Sequence, residues 1–278
     1  MTEHIAMNAD AAKQSVHDFW NAAACGEDLY LRDESIDGYA AQAQARYALE
    51  PYIADLAKFT QCGGLRVLEI GVGLGADHQR FAEAGAVLFG IDLTERAVEH
   101  TQRRLAAFGF TPQVSVGDAE NLSFRDGSFD VVYSWGVLHH SPDTPRAIAE
   151  VRRVLCPGGV ARIMIYHTWS LVGVMLWVRY ALLRGRPWRS LRSIYDRHLE
   201  SPGTKAYSVA EAHALFAGFE DVRIRTVLTH GDLLESGAGQ RHHGALLSLA
   251  RRLWPRAWLK RFGQSCGLFM LIEARKPS

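Results

Sequence analysis

Between Leu65 and Tyr166, short apolar runs alternate with longer segments whose apolar positions recur at helical spacing. The runs Leu65–Ile70, Ala86–Ile91, Gln113–Val116, Phe129–Ser134 and Gly159–Tyr166 predict strands. The segments Ala76–Ala84, Glu95–Phe108 and Thr144–Leu155 predict helices between them. Strands apolar at consecutive positions are covered on both faces, so this alternation predicts a doubly wound, mostly parallel sheet in an α/β core. Two helices, at 10–24 and 39–60, precede the first strand and are placed to cap the sheet. After the fifth strand, residues 167–206 open with an apolar helix punctuated by arginines and continue as a polar stretch. A helix at Ser208–Phe216 and a strand at Val222–Thr229 follow. Residues 231–263 form a second insertion with helical spacing from Leu246 to Trp258, and Leu268–Ala274 closes the chain as a seventh strand. The last two strands fit an antiparallel hairpin on the sheet edge. The expected divisions are therefore 1–63, 64–166, 167–206 and 207–278.

With 48% hydrophobic and 22% charged residues in 278, the composition is globular, which excludes disordered, collagenous and coiled-coil chains. Cys25, Cys62, Cys156 and Cys266 are far apart, with neither Cys-x-x-Cys nor zinc-ligand spacing, so no disulfide framework and no metal site is expected. The first thirty residues lack the apolar core of a signal peptide. The longest apolar stretch, Leu171–Leu183, is broken by Arg179 and is too short to span a bilayer. A soluble, cytoplasmic protein is the expectation. Charge is uneven: residues 1–63 carry 4 basic and 10 acidic side chains (−6), residues 64–166 carry 10 and 12 (−2), and residues 167–278 carry 17 and 8 (+9). The basic last third is suited to an anionic partner or to pairing with the acidic first third.

The chemistry sits at the strand ends. Gly71, Gly73 and Gly75 follow the first strand directly, where missing side chains let the backbone turn sharply and approach a ligand. Gly71, Gly73 and Ala76 also satisfy the dinucleotide fingerprint, so the turn alone fits a nicotinamide enzyme and a nucleoside-sulfonium enzyme equally. The second strand ends in Asp92, a carboxylate suited to a ribose diol in either class. The third delivers Asp118 and Ala119, where an acidic group can accept from an exocyclic amine. His139 and His140 lie just past the fourth, at the sheet edge where ligands lie.

Taken in order, the runs Val67–Gly75, Gly90–Asp92, Gly117–Ala119, Phe129–Ser134, Val137–His140 and Arg153–Gly159 resemble a class I S-adenosylmethionine-dependent methyltransferase. The closer similarity is to the small-molecule branch that includes ubiquinone and menaquinone C-methyltransferases. It covers roughly residues 64–166. Phe19–Asn21 with Cys25-Gly26, and the run from Arg46 to Pro51, are similar to relatives' lids. The resemblance implies a seven-stranded Rossmann-like sheet with an N-terminal helical lid and inserted cap helices. It implies that Glu69 and the backbone of Gly71, Gly73 and Gly75 hold the methionine part of S-adenosyl-L-methionine, Asp92 the ribose with Leu93 beside it, Asp118 and Ala119 the adenine, and Ser134 the methionine end.

Methyl transfer from a sulfonium needs no metal, and needs a base only when the acceptor loses a proton. Histidine suits that task, so His139 or His140 is the expected base. The N-terminal helices and the 167–206 insertion are expected to meet over the cofactor, with Tyr39 and Arg46 facing inward from one side and Tyr195 and His198 from the other. Further polar blocks run from Ser201 to Tyr207, from His230 to Asp232 and from Gln240 to Gly244. The expected partner is a small, partly apolar acceptor of undetermined atom type. The helix beginning near Trp169 fits either a lid or a peripheral membrane contact through its arginines. Nothing resembles a nucleic-acid-binding module. An NAD(P)-dependent oxidoreductase is the competing enzyme, but none of the five lysines follows a tyrosine at Tyr-x-x-x-Lys spacing. A non-catalytic relative is the third reading, and intact glycines and Asp92 speak against it.

Overall fold

The computed structural model describes residues 2–235, 251–252 and 254–278, with side chains from residue 10 onward. Seven strands form one sheet: β1 (Arg66–Ile70), β2 (Val87–Asp92), β3 (Val114–Val116), β4 (Phe129–Trp135), β5 (Leu155–Tyr166), β6 (Glu220–Val227) and β7 (Phe269–Arg275). Their order is β3-β2-β1-β4-β5-β7-β6, with β1 to β5 parallel and β7 antiparallel to both β5 and β6. The expected terminal hairpin of β6 and β7 is therefore present, with β7 lying between β5 and β6. The chain runs outward from β1 to β3 and then returns to β4 on the other side of β1. That reversal leaves a crevice beyond the carboxyl ends of β1 and β4, where open α/β sheets place ligands.

Strand alternation builds two cores. Leu68, Ile70, Val132, Ile163 and Ile165 point to the face covered by α7 (Thr144–Val154) and α10 (Val209–Leu215). Val67, Val131, Tyr133, Met164 and Leu271 point to the face covered by α4 (Ile53–Ala57) and α5 (Ala76–Glu83). Elements α1 (Thr2–Ala22), α2 (Glu27–Tyr30) and α3 (Ile36–Leu49) precede these, and α6 (Glu95–Ala107) joins β2 to β3. The insertion after β5 holds α8 (Leu171–Tyr180) and α9 (Leu191–His198), and α11 (Arg256–Phe262) precedes β7.

Two expected boundaries move for local reasons. The single helix expected at 39–60 is two, because Pro51 disfavours helical geometry at Glu50, whose φ of −128° and ψ of 61° end α3. Strand β5 starts at Leu155 rather than Gly159: Phe129 pairs with Leu155 and Val131 with Val160, so the Pro157–Gly159 step is absorbed as an irregularity inside the strand. The helix expected from Leu246 to Trp258 lies partly outside the described residues; within them, Pro255 precedes α11.

Arg104, on α6, is 1% exposed. It donates to Gln79 Oε1 (2.7 Å), Gln42 Oε1 (2.7 Å), Leu74 O (3.2 Å) and Tyr39 O (3.0 Å), and burial lowers its pKa to about 10. One cation thus joins α3, α5, α6 and the glycine turn. Arg104→Ala leaves those acceptors without a donor and is expected to cost about 2–4 kcal/mol, lowering Tm by roughly 5–15 °C. Arg104→Lys should recover only part, since an ammonium lacks the guanidinium fork. Melting within about 2 °C of wild type for the alanine variant would remove this role.

Candidate active site

The turn after β1 is set by two glycines with φ values restricted for other residues: Gly71 at +84° and Gly73 at +52°. A Cβ on Gly71 would lie 2.0 Å from Val137 Cγ2, so β1 and the loop after β4 approach only because it is absent. A Cβ on Gly73 would meet nothing within 4 Å and would stand in the cavity. Asp92 closes the turn from β2: its Oδ2 accepts from Gly73 N (3.2 Å), and its Oδ1 accepts from Thr94 N (3.0 Å) and Thr94 Oγ1 (2.9 Å). Burial raises the Asp92 carboxyl, opposed by these bonds.

One cavity of about 1490 Å³ runs from this turn into the insertions. Its sheet-side wall includes Glu69, Gly71, Gly73, Asp92, Leu93, Asp118 and Ala119. Arg46, Glu50, Asp77, His140, His198 and Glu200 line it further on. Glu69 meets His78 Nδ1 at 2.8 Å. Burial pushes the Glu69 carboxyl well up and lowers His78 to about 3. Asp77 is 3% exposed and accepts from Arg46 Nε (3.2 Å) and Nη2 (2.7 Å), Tyr47 Oη (2.9 Å) and Tyr133 Oη (2.8 Å). Burial alone would raise its carboxyl; Arg46 and the two phenols hold it below its ordinary value.

Several expected residues stand elsewhere. Tyr39, expected to face inward, is fully buried beneath Arg104, with its hydroxyl 3.5 Å from His100 O. Tyr195 is likewise fully buried: its hydroxyl meets Ser170 Oγ (2.7 Å), His167 O (3.2 Å) and Thr168 O (3.0 Å) in space left by Gly173. Tyr195 packs into the apolar core and Tyr39 sits under the Arg104 guanidinium, and neither lines the cavity. Ser134 donates to Ile70 O (2.9 Å) behind the sheet edge, and Gly75 packs against Thr101; neither reaches the cavity. His139 is also outside the wall: it is fully buried, its ring centroid is 4.0 Å from that of Tyr166, and burial drives its pKa well below 6.5. His140 alone of the pair lines the cavity, with Nδ1 at 2.8 Å from Ser201 Oγ and 3.2 Å from Thr204 Oγ1, and Nε2 at 3.4 Å from Glu200 Oε2. Asp232 is a buried tie, accepting from Thr229, Val172 and Leu268 backbone N–H groups, while His230 lines the cavity. The block from Gln240 to Gly244 lies outside the described residues.

Other wall residues carry no recognisable spacing. Lys13, on α1, reaches Asp118 Oδ2 and Glu120 Oε2, each at 2.7 Å. Trp20, from the run noted for its similarity to lids, meets His140 edge-on at 5.4 Å. Tyr166 donates to Glu200 Oε2 (2.8 Å). A helix-phase argument could have found Asp77, two residues past Gly75 in the first turn of α5; nothing local marks Lys13 or Glu200.

Residues 68–163 match the family described as a methyltransferase domain. The chain is 38% identical over 95 residues to malonyl-[acyl-carrier protein] O-methyltransferase of Erwinia pyrifoliae, covering 34% of this chain and 35% of that one. It is 39% identical over 99 residues to 27-O-demethylrifamycin SV methyltransferase of Amycolatopsis mediterranei, covering 34% and 36%. The match spans about two fifths or less of the curated relatives' length, 41% for an uncharacterised Mycobacterium tuberculosis protein. The fold is shared with the solved phosphoethanolamine N-methyltransferase 2 of Haemonchus contortus, at TM-score 0.59, 18% identity, and coverage of 95% of this chain and 60% of that one. Residues 68–163 therefore carry a methyltransferase domain. The residues present fit the S-adenosyl-L-methionine that the sequence resemblance implies: a side-chain-free cradle at Gly73, a buried carboxyl at Glu69, and Asp92 facing the same crevice.

Glu50 supplies a test of the site's electrostatics. Its Oε2 makes no hydrogen bond, the nearest cation being Arg46 Nη1 at 3.5 Å. Burial raises the carboxyl to about 7, with Arg46 opposing and Asp77 and Glu200 adding to the rise. A carboxyl that holds its proton more tightly when folded stabilises the fold below about 4.5, and that stabilisation is lost as pH rises through about 7. Glu50→Gln, which cannot ionise, should therefore melt several degrees above wild type at pH 8, for roughly 1–3 kcal/mol. At pH 5 the two should melt nearly together. Parallel curves across that range would show that Glu50 titrates normally.

Proposed function

We propose that this protein transfers a methyl group from S-adenosylmethionine to a small, partly apolar organic acceptor bound in the same cavity. The observation that carries the reading is the continuity of the chamber. Ordinary small-molecule sites measure about 300–1,000 Å³. This one is larger, and from the glycine crevice it extends to Met175, Leu176, Leu199, Leu234 and Trp254. The cofactor supplies a methyl group already activated by its sulfonium. The protein's residues then bind, orient and exclude water, and positioning of this kind supplies much of the rate.

In this reading Glu69 and the Gly71–Gly73 backbone hold the amino-acid end, Asp92 and Leu93 the ribose, and Asp118 and Ala119 the adenine, with Lys13 drawing α1 over that end. Residues 1–63 and the 167–206 insertion act as lids. Support comes from Trp20, Cys25 and Glu50 on one side and Leu176, His198 and Glu200 on the other, all in one wall. His140 takes the acceptor's proton where one is lost, with Glu200 beside its Nε2 to receive the resulting charge. The acceptor is a small molecule and not nucleic acid, and contact with a membrane runs through the basic insertion. The oxidoreductase alternative shares the crevice but lacks a tyrosine–lysine relay.

Asp92→Ala removes the carboxylate expected on the ribose, each lost bond being worth about 0.5–1.5 kcal/mol and more when charged. Affinity for S-adenosylhomocysteine, measured by calorimetry, should fall at least about tenfold, a step of about 1.4 kcal/mol. Unchanged affinity would take Asp92 out of the site. Gly73→Val places a branched side chain in the cradle. The expected result is a folded protein whose Tm no longer rises on adding S-adenosylhomocysteine; wild-type protection would make the turn purely structural.

A further inference from the structure

The insertion that walls the cavity is unusual in what it leaves uncovered. From His167 to Tyr195 the chain contains five arginines and no Asp or Glu. Gly173, Leu176, Ala181 and Ile194 are buried and fix α8 against α9. The Val172 N–H donates to Asp232 Oδ1 (3.0 Å), pinning the start of the helix to the β6–β7 connection. The outward side is apolar rather than polar. Trp169 is 63% exposed, Val174 46%, Leu182 46%, Leu183 62% and Trp188 78%. Val174 and Val178 lie one helical turn apart on α8, and Leu182 and Leu183 follow in the turn just past its end. Trp258 and Phe262 are exposed on α11, whose buried Leu259 belongs to the same cluster as Leu171 at the base of α8.

Arginines flank this outward side. Arg192 pairs with Glu211 at 3.0 Å. Among the described residues Arg179, Arg184, Arg186 and Arg189 meet no carboxylate. A contiguous apolar surface bordered by uncompensated cations has two needs that water meets poorly: cover for the hydrocarbon and counter-charge for the guanidinium groups. An anionic bilayer surface meets both at one depth, with side chains at the acyl boundary and guanidinium groups among the headgroups. A second copy of the chain would bring its own unpaired arginines against these four. A nucleic acid would neutralise the charge and leave Leu182, Leu183 and Val174 in water.

The same helix also forms part of the cavity wall. Val174, Met175, Val178, Arg179 and Leu183 line the chamber, and three of them are the exposed residues Val174, Arg179 and Leu183. The rim of the cavity is therefore part of the apolar face. We infer that Trp169–Arg189 docks this protein on anionic membranes, and that the acceptor is an amphiphile resident in the bilayer that enters the chamber along α8. The docking surface stands on its own observations; the acceptor's route rests on the methyl-transfer reading.

The test is vesicle flotation of the full chain with phosphatidylcholine alone and with phosphatidylcholine containing phosphatidylglycerol, beside two double variants, Arg184→Glu/Arg186→Glu and Leu182→Ser/Trp188→Ser. None of these four residues lines the cavity. Wild type should float with the anionic vesicles and release at high salt, because surface charge attraction is screened. Each double variant should lose at least about tenfold in partitioning, since membrane affinity adds charge and buried apolar area. All three proteins should bind S-adenosylhomocysteine alike. Wild type that stays with neutral and anionic vesicles equally, stays at the bottom of both gradients, or binds a duplex oligonucleotide instead overturns the docking surface, as do variants that float normally. Failure of wild type to bind S-adenosylhomocysteine, with flotation intact, counts against methyl transfer and leaves the surface standing.

Discussion

A single buried carboxylate holds the site together. Asp77 stands in the first turn of α5, directly past the glycine turn, and takes hydrogen bonds from Arg46 and Tyr47 of α3 and from Tyr133 of β4. A lone carboxylate at that depth is too costly to keep ionised. With a guanidinium and two phenols on it, the charge is stable, and its four bonds fix the N-terminal segment against the crevice. Without it, Arg46 would keep only the longer contact to Glu50 (3.5 Å), and Tyr47 and Tyr133 would lose their acceptor.

That constraint gives the chamber two chemically different ends. The end beneath the glycine turn is built from backbone and carboxyl groups at the tips of β1, β2 and β3. The far end is built from the insertions and is largely apolar. Between them lie Arg46, Glu50, Glu200 and His140, the groups that can carry charge where the two ligands would meet. Their surroundings separate their states: Arg46 and two phenols hold Asp77 below its ordinary value, burial raises Glu50 to about 7, and burial keeps His139 uncharged behind the wall. Divergent proton affinities within one small volume are the usual sign of a site arranged for proton handling.

The sheet was legible because its signals are local. Apolar runs broken by glycine at Gly71 and by Asp92 mark strand ends wherever they occur, and all seven strands fall within a few residues of their expected places. The crevice wall was legible for the same reason: Glu69 and Asp92 stand at the ends of β1 and β2, Gly73 and Asp118 come shortly after β1 and β3, and all four line the cavity. Tertiary neighbours decide what local pattern cannot. Tyr39 and Tyr195 have polar tips that suggested a pocket, yet each phenol found partners inside the core, under Arg104 and beside Gly173. His139 and His140 are adjacent, and tertiary partners decide which faces the cavity: His139 packs on Tyr166, while His140 is held by Ser201 and Thr204. Lys13 lies more than a hundred residues from Asp118, so no spacing could join them.

The central claim is that this crevice recognises a nucleoside sulfonium and not a dinucleotide, although its glycine spacing fits both. Parallel calorimetric titrations of the full chain with S-adenosylhomocysteine and with NAD measure that choice directly. The account predicts saturable binding of S-adenosylhomocysteine and no heat of binding from NAD. Binding of NAD alone would contradict it.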